Sequence, residues 1–211
     1  MRKAFAAIAA VLAVAGCGGE DGTATLWITR DQGTTVVLTA TVPAGLTAMQ
    51  ALERKAEVET SYGGRFVDAI NGVESRAQHD WFYYVNGIPL GRSAAEYRLR
   101  EGDVEWWDYT VWRSPNEVPA VVGAFPEPFL HGVGGDVPPA VVVGRGSLAH
   151  ALAKLVRGRV AAKPPPDANV LELRHGAGFR ALTPKRFVID PRHAVRLITD
   201  DDVYRFRYAV P

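Results

Sequence analysis

Cysteine is nearly missing from this sequence: 211 residues hold one, Cys17, and only two methionines. A single thiol excludes an intramolecular disulfide and any zinc site built on paired thiolates. Histidine does not make up for it. His79, His131, His150, His175 and His193 include no pair three or four residues apart, the spacing that would put two ring nitrogens on one helical face. An excess of one charge sign is also absent. The formal net charge is +1, and no Lys/Arg cluster stands out, which argues against nucleic acid as the main partner. No nucleophile elbow and no spaced Ser/His/Asp set is present, so the expectation is a protein that is not an enzyme. Beyond residue 14 no apolar run is long enough to span a bilayer.

The first residues carry the most specific signal. Arg2-Lys3 precede an apolar run over residues 4–14, too short to cross a membrane, and the run ends in Val14-Ala15-Gly16-Cys17-Gly18-Gly19. Small residues before a lone Cys look like a bacterial lipobox. The expectation is a signal peptide over residues 1–17, a lipidated Cys17, a polar tether over 18–23, and a mature protein on the outer face of the cytoplasmic membrane in the cell envelope. Diacylglyceryl and further acyl chains together anchor a protein stably where one chain would not.

Charge divides the remainder. Residues 20–113 hold 14 carboxylates against 9 bases, whereas residues 114–211 hold 9 against 13. Two units of opposite sign are expected, able to dock on each other. In the first, residues 26–30 and 34–42 read as strands about Asp31-Gln32-Gly33, with Val36, Leu38, Ala40 and Val42 on one face. Thr47-Ala48-Met49-Gln50 has the form of a capping box. Leu46, Met49, Leu52 and Ala56 follow at helical spacing. A short strand over 66–70 precedes two aromatic strands, Trp81-Phe82-Tyr83-Tyr84-Val85-Asn86 and Val104-Glu105-Trp106-Trp107-Asp108-Tyr109, with Asn86-Gly87 and Glu101-Gly102-Asp103 as turns. The order predicts an α+β fold with one helix on a mostly antiparallel sheet, a β-grasp arrangement.

Both faces of those strands are aromatic. Side chains alternate, so Trp81 and Tyr83 share one face while Phe82 and Tyr84 share the other. A two-layer fold buries one face only. The chain is 9% aromatic overall, yet the rings concentrate here. Tyr83, Tyr84, Asn86, Trp107, Tyr109 and Trp112 are therefore the candidate ligand-binding residues, because Tyr and Trp combine apolar bodies with polar tips. The competing expectation is that the basic C-terminal half docks on this surface.

The blocks Pro43-Ala44-Gly45-Leu46-Thr47-Ala48-Met49-Gln50-Ala51-Leu52, Gly63-Gly64-Arg65-Phe66-Val67-Asp68-Ala69-Ile70-Asn71-Gly72-Val73, Asp80-Trp81-Phe82-Tyr83-Tyr84-Val85-Asn86-Gly87 and Glu96-Tyr97-Arg98-Leu99-Arg100-Glu101-Gly102-Asp103-Val104-Glu105-Trp106 stand in order at suitable spacing. Over residues 24–113 the chain resembles a bacterial domain of unknown function related to the C-terminal β-grasp domain of transcobalamin and intrinsic factor. The resemblance implies a cobalamin-like corrinoid as ligand. The aromatic surface itself suits a flat or amphipathic molecule, and a membrane transporter, a surface protein or the second domain is expected to complete the enclosure. In the vitamin carriers a helical barrel holds the other face of the ligand, and nothing here resembles that barrel. The alternative is a non-enzymatic surface lipoprotein that binds proteins and has no small-molecule ligand. No resident cofactor or metal is expected.

Residues 114–139 form a Pro/Gly-rich connector, with residues 121–125 expected to pack against one unit. Residues 140–211 read as a second small α+β domain of unknown function. Its expected elements are strands at 140–143, 170–174, 179–182, 186–190, 194–198 and 203–210 and a helix at 147–156, with the strands in antiparallel hairpins. Gly144-Arg145-Gly146-Ser147 has the strand-to-helix context of a dinucleotide-binding turn, but too few residues follow for such a sheet. A tight turn with Ser147 as helix cap accounts for it. Asp200-Asp201-Asp202 lacks the spaced oxygens of a calcium loop and reads as a polar loop.

Overall fold

The computed structural model describes residues 22–112 and 118–211. The expected signal peptide with Cys17 and most of the expected tether lie outside the described residues, as do residue 113 and the first residues, 114–117, of the expected connector. Among the described residues no helix is long and apolar enough to cross a membrane.

Strands β1 (Thr23–Arg30) and β2 (Thr35–Pro43) pair antiparallel around Asp31, Gln32 and Gly33, all at positive φ. Helix α1 (Ala48–Glu53) begins on the expected capping box. Thr47 Oγ1 accepts from the Gln50 N–H at 3.1 Å, and Gln50 Oε1 accepts from the Thr47 N–H at 3.0 Å. A side sheet follows, made of β3 (Val58–Ser61), β4 (Phe66–Ile70) and β5 (Val73–Glu74). Then β6 (His79–Val85), β7 (Ile88–Pro89) and β8 (Val104–Val111) complete a five-stranded sheet in the order β2-β1-β8-β6-β7. Only β1 and β8 run parallel. This is the β-grasp arrangement within an α+β fold. Ala48, Met49, Ala51 and Leu52 of α1 share one buried cluster with Leu26, Ile28, Val85 and Trp107, so the helix lies on this face of the sheet.

The C-terminal sheet departs from expectation. β9 (Ala140–Val143), β10 (Arg159–Val160), β11 (Asn169–Leu173), β12 (Phe179–Thr183) and β13 (Arg186–Ile189) lie in the order β10-β9-β11-β13-β12. Three of the four pairings are parallel, and only β12 and β13 form a hairpin. The Ala-Val-Val-Val run of β9 explains this, since Val142 and Val141 are buried on opposite faces, as strands of parallel sheets are. Helix α2 (Gly146–Leu155) crosses from β9 to β10, and its N-cap is Arg145 without a side-chain cap bond, so Ser147 is not the cap. Residues 194–198 are not a strand but part of α3 (Pro191–Thr199). Asp190 caps α3 by accepting from the Arg192 N–H at 2.9 Å, Pro191 opens it, and Ala194 and Leu197 bury at helical spacing. Residues 203–210 form turns rather than a strand; Phe206 has φ 64, and Val210 alone bridges to Phe179.

The connector packs against both units. Ala120, Val122 and Phe129 enter the C-terminal core, while Val121 and Ala124 cover the β-grasp sheet.

Candidate functional site

The two aromatic faces meet different fates. On the helix side, Tyr83 stacks on Trp107, with ring centroids 4.9 Å apart and planes at 28°, and Trp81 lies against Tyr109 at 5.2 Å. Trp81 Nε1 donates to the Val73 carbonyl at 2.9 Å and Tyr109 to the Glu74 carbonyl at 3.0 Å, which ties the hairpin to β5. Trp107 Nε1 donates to Glu105 Oε1 at 2.6 Å. Glu105 is fully buried, and among the described residues neither its Oε2 nor the Tyr83 hydroxyl has a partner. Burial pushes the Glu105 carboxyl well above the usual carboxylate range, against the opposing pull of the Trp107 N–H. Burial first, and the Glu105 charge second, raise the Tyr83 phenol. Beside the stacked pair lies an open groove of about 430 Å³, walled by Phe66, Trp81, Tyr83, Leu90, Arg92 and Trp107. Phe66 is 43% exposed at its rim, and Arg92 makes no ion pair among the described residues.

The opposite face is covered around Trp106 and Tyr84. Trp106 is wholly buried between Trp27, Tyr84, Phe206 and Tyr208. Tyr208 donates to Asp108 Oδ2 at 2.8 Å, and Tyr84 donates to the Tyr208 oxygen at 3.0 Å. Asp108 also accepts from the Thr29 hydroxyl and from the N–H groups of Gln32 and Gly33, both at 3.0 Å. Burial pushes the Tyr84 phenol up to about 12, and raises that of Tyr208 as well. The basic C-terminal half thus docks on the acidic aromatic unit through a hydrogen-bonded aromatic seam.

Of the six candidate residues, Tyr83 and Trp107 wall the groove, and Tyr109 sits on the same face but farther along β8. Trp112, 56% exposed, lies beyond the end of β8 in a separate shallow depression with Arg76 and Gln78. Tyr84 and Asn86 need correction as ligand contacts. Tyr84 is in the sealed seam. Asn86 is fully buried, its Nδ2 donating to Asp103 Oδ1 at 2.7 Å and to the Gly132 carbonyl at 2.6 Å while its Oδ1 accepts from the Val104 N–H at 2.8 Å. Its polar atoms hold the turn and the connector together and leave none for a ligand.

Sequence reasoning passed over other polar groups. His131 Nδ1 lies 2.6 Å from Glu127 Oε1, and Glu127 Oε2 accepts from the His131 N–H at 3.0 Å. A second concavity of about 510 Å³ separates the β1–β2 end of the sheet from the C-terminal half, with Thr25, Trp27, Thr39 and Thr41 on one wall and Asp201 and Arg205 on the other. The Asp200-Asp201-Asp202 run forms the turn after α3. Among the described residues no three His, Cys, Asp or Glu side chains are grouped to hold a metal ion.

The family described as "Domain of unknown function (DUF4430)" matches residues 45–111, less than half of the chain and inside the stretch that carries the sequence resemblance. Among solved structures, haptocorrin in complex with Cbi is similar at 16% identity and a TM-score of 0.36, over 48% of this chain and 28% of that one. A protein of Ruminococcus gnavus ATCC 29149, described as metal binding, is similar at 13% identity and a TM-score of 0.37, over 44% of this chain and all of its own. No curated protein matches the sequence.

Proposed function

We propose that this protein is a membrane-anchored extracytoplasmic binding module, without catalytic activity, that holds a flat amphipathic ligand in the groove beside Tyr83 and Trp107. The observation that carries this reading is the inequality of the two aromatic faces. At Tyr84 and Trp106 the one is closed by the Tyr84–Tyr208 seam, its open cleft lying toward β1 and β2, whereas the other keeps a concavity of about 430 Å³ directly beside a stacked Tyr–Trp pair. Phe66 and Leu90 supply apolar walls for a ring system, and Arg92 supplies a cation for a polar or anionic edge. The groove is open on one side, so it grips an edge or a face of a large ligand and leaves the remainder to a partner. A corrinoid, which the resemblance to the vitamin-carrier domain implies, is the ligand to try first, with a membrane transporter as the protein that completes the enclosure. Cys17, as a lipidated anchor, would keep the module at the membrane surface.

Tryptophan fluorescence during titration with cyanocobalamin, corrected for absorbance, tests this. Saturable quenching, weakened at least tenfold by Arg92→Glu and by Phe66→Ser but unchanged in Trp112→Ala, supports the groove. Both weakening substitutions lie at the rim, so they spare the core. No saturable change at any concentration overturns the corrinoid, and equal binding by all variants overturns the groove.

A further inference from the structure

We propose that the free edge of β2, with the cleft beside it, takes an extended peptide segment of another protein as an added strand. β2 is an outer strand of its sheet, and among the described residues nothing pairs with its far side. Its sequence, Thr-Val-Val-Leu-Thr-Ala-Thr-Val-Pro, contains no charge and no proline before its last residue. Val36 and Val37 are 48% and 42% exposed. Solvent-facing edges are ordinarily protected by charges, prolines or bulges, because unpaired N–H and C=O groups pair with any available strand. Over residues 35–42 β2 carries neither charge nor proline, and its one protection is the bulge at Val37 opposite Ile28 and Thr29, which leaves residues 38–42 in regular register.

The hydrogen-bond phase says which groups face outward. The Thr25 N–H donates to the Asp103 carbonyl, on the β8 side of β1, and the Ala44 N–H donates to the Gly22 carbonyl. In an antiparallel pair the bonded residues alternate. Ala40 and Val42, opposite Leu26 and Ala24, therefore bond β1, whereas Thr39 and Thr41, opposite Trp27 and Thr25, turn their backbone groups to the edge. The side chains of Thr39 and Thr41 also wall the cleft of about 510 Å³. A strand laid on Thr39 and Thr41 sends alternate side chains into that cleft, toward Trp27 and the turn after α3.

Charge selects the occupant. The facing wall carries Asp201 and Asp202, with one guanidinium, Arg205, which pairs with Asp202 and lies over the Trp27 ring at 5.8 Å. Asp201 has no hydrogen bond or ion pair among the described residues. A Lys or Arg on the cleft-facing side of the added strand complements Asp201, so the partner is an extended, β-branched peptide with a basic residue.

Fluorescence anisotropy with labelled eight-residue peptides of alternating Thr and Val tests the proposal, one carrying a central Lys and its twin a central Glu. The Lys peptide is expected to bind at least tenfold more tightly than the Glu peptide. Thr39→Pro removes an outward N–H without touching the β1 ladder and is expected to abolish binding with the far-ultraviolet dichroism unchanged. Asp201→Lys is expected to reverse the peptide preference. Absence of saturable binding by either peptide, or full binding by Thr39→Pro, overturns the proposal. A concentration-dependent dimer in sedimentation that Thr39→Pro removes also overturns it, by giving the edge to a second copy of this chain. Cyanocobalamin quenching in Thr39→Pro separates this site from the groove, because it is unaffected if the two are independent.

Discussion

Tyr208 reaches back 100 residues to donate its hydroxyl hydrogen to Asp108 at 2.8 Å, and both side chains are buried. This contact, with the Tyr84 hydroxyl bonded to the same Tyr208 oxygen, joins the end of the chain to the centre of the β-grasp sheet. Removing the Tyr208 hydroxyl leaves a buried carboxylate short of one donor, whereas removing that of Tyr84 takes a donor only from the Tyr208 oxygen. Tyr208→Phe is expected to lower unfolding stability by about 1–3 kcal/mol in urea denaturation. Tyr84→Phe should cost less, and the double variant should cost less than the two added together, because the hydroxyls form one chain. Additive effects would show that they act separately.

Gly33 marks the second tie between the two units. It sits at φ +77, its N–H donates to Asp108 Oδ1, and a Cβ there would fall 1.7 Å from the Phe206 carbonyl oxygen. Gly33→Ala combines left-handed strain with a backbone clash. It is expected to cost at least about 2 kcal/mol and to shift the emission of the buried Trp27–Trp106 pair to the red. A wild-type emission maximum and midpoint would contradict the contact.

Glu105 gives a pH signature. Its carboxyl is raised in the folded state above the ordinary 4.5. The folded protein therefore holds a proton that the unfolded chain releases, so this stability is full below about pH 4.5 and is lost as pH rises toward the folded value. Glu105→Gln removes the titration. The stability of the wild type should decline more steeply than that of Glu105→Gln as pH rises from 4.5 through neutrality. Parallel curves would contradict the burial argument.

The capping box makes a smaller, local claim. Thr47→Ala removes the acceptor for the Gln50 N–H and is expected to cost about 1 kcal/mol. A thermal melt checks it, with no change in ligand titration.

Much of the first unit was legible because its signals are local. The Thr47/Gln50 box, the Asn86-Gly87 turn and the strand alternation each span a few residues and emerge where expected. The partner of β4 was missed because residues 58–61, Val-Glu-Thr-Ser, are mostly polar and show no apolar alternation, though their backbone pairs with β4. The C-terminal sheet was misread because its strands are short and Ala140-Val141-Val142-Val143 has no period to show which neighbours it takes. Ala194-Val195-Arg196-Leu197-Ile198 looks like a strand until the Asp190-Pro191 cap is given its weight. Tyr84 and Asn86 looked available because what covers them, Tyr208 and the Gly132 carbonyl, is 124 and 46 residues away. An excess of aromatic surface was visible in the sequence; which face stayed open was not.

The central claim is that the face beside Tyr83 and Trp107, and not the Tyr84 face, is the binding surface. Amide chemical-shift mapping of the isotope-labelled protein during titration with cyanocobalamin measures this directly. The account predicts shifts that saturate together at Phe66, Tyr83, Leu90 and Arg92, with Tyr84, Asn86 and Tyr208 unmoved. Shifts confined to Tyr84, Asn86 and Tyr208, or none at all at saturating corrinoid, would contradict it.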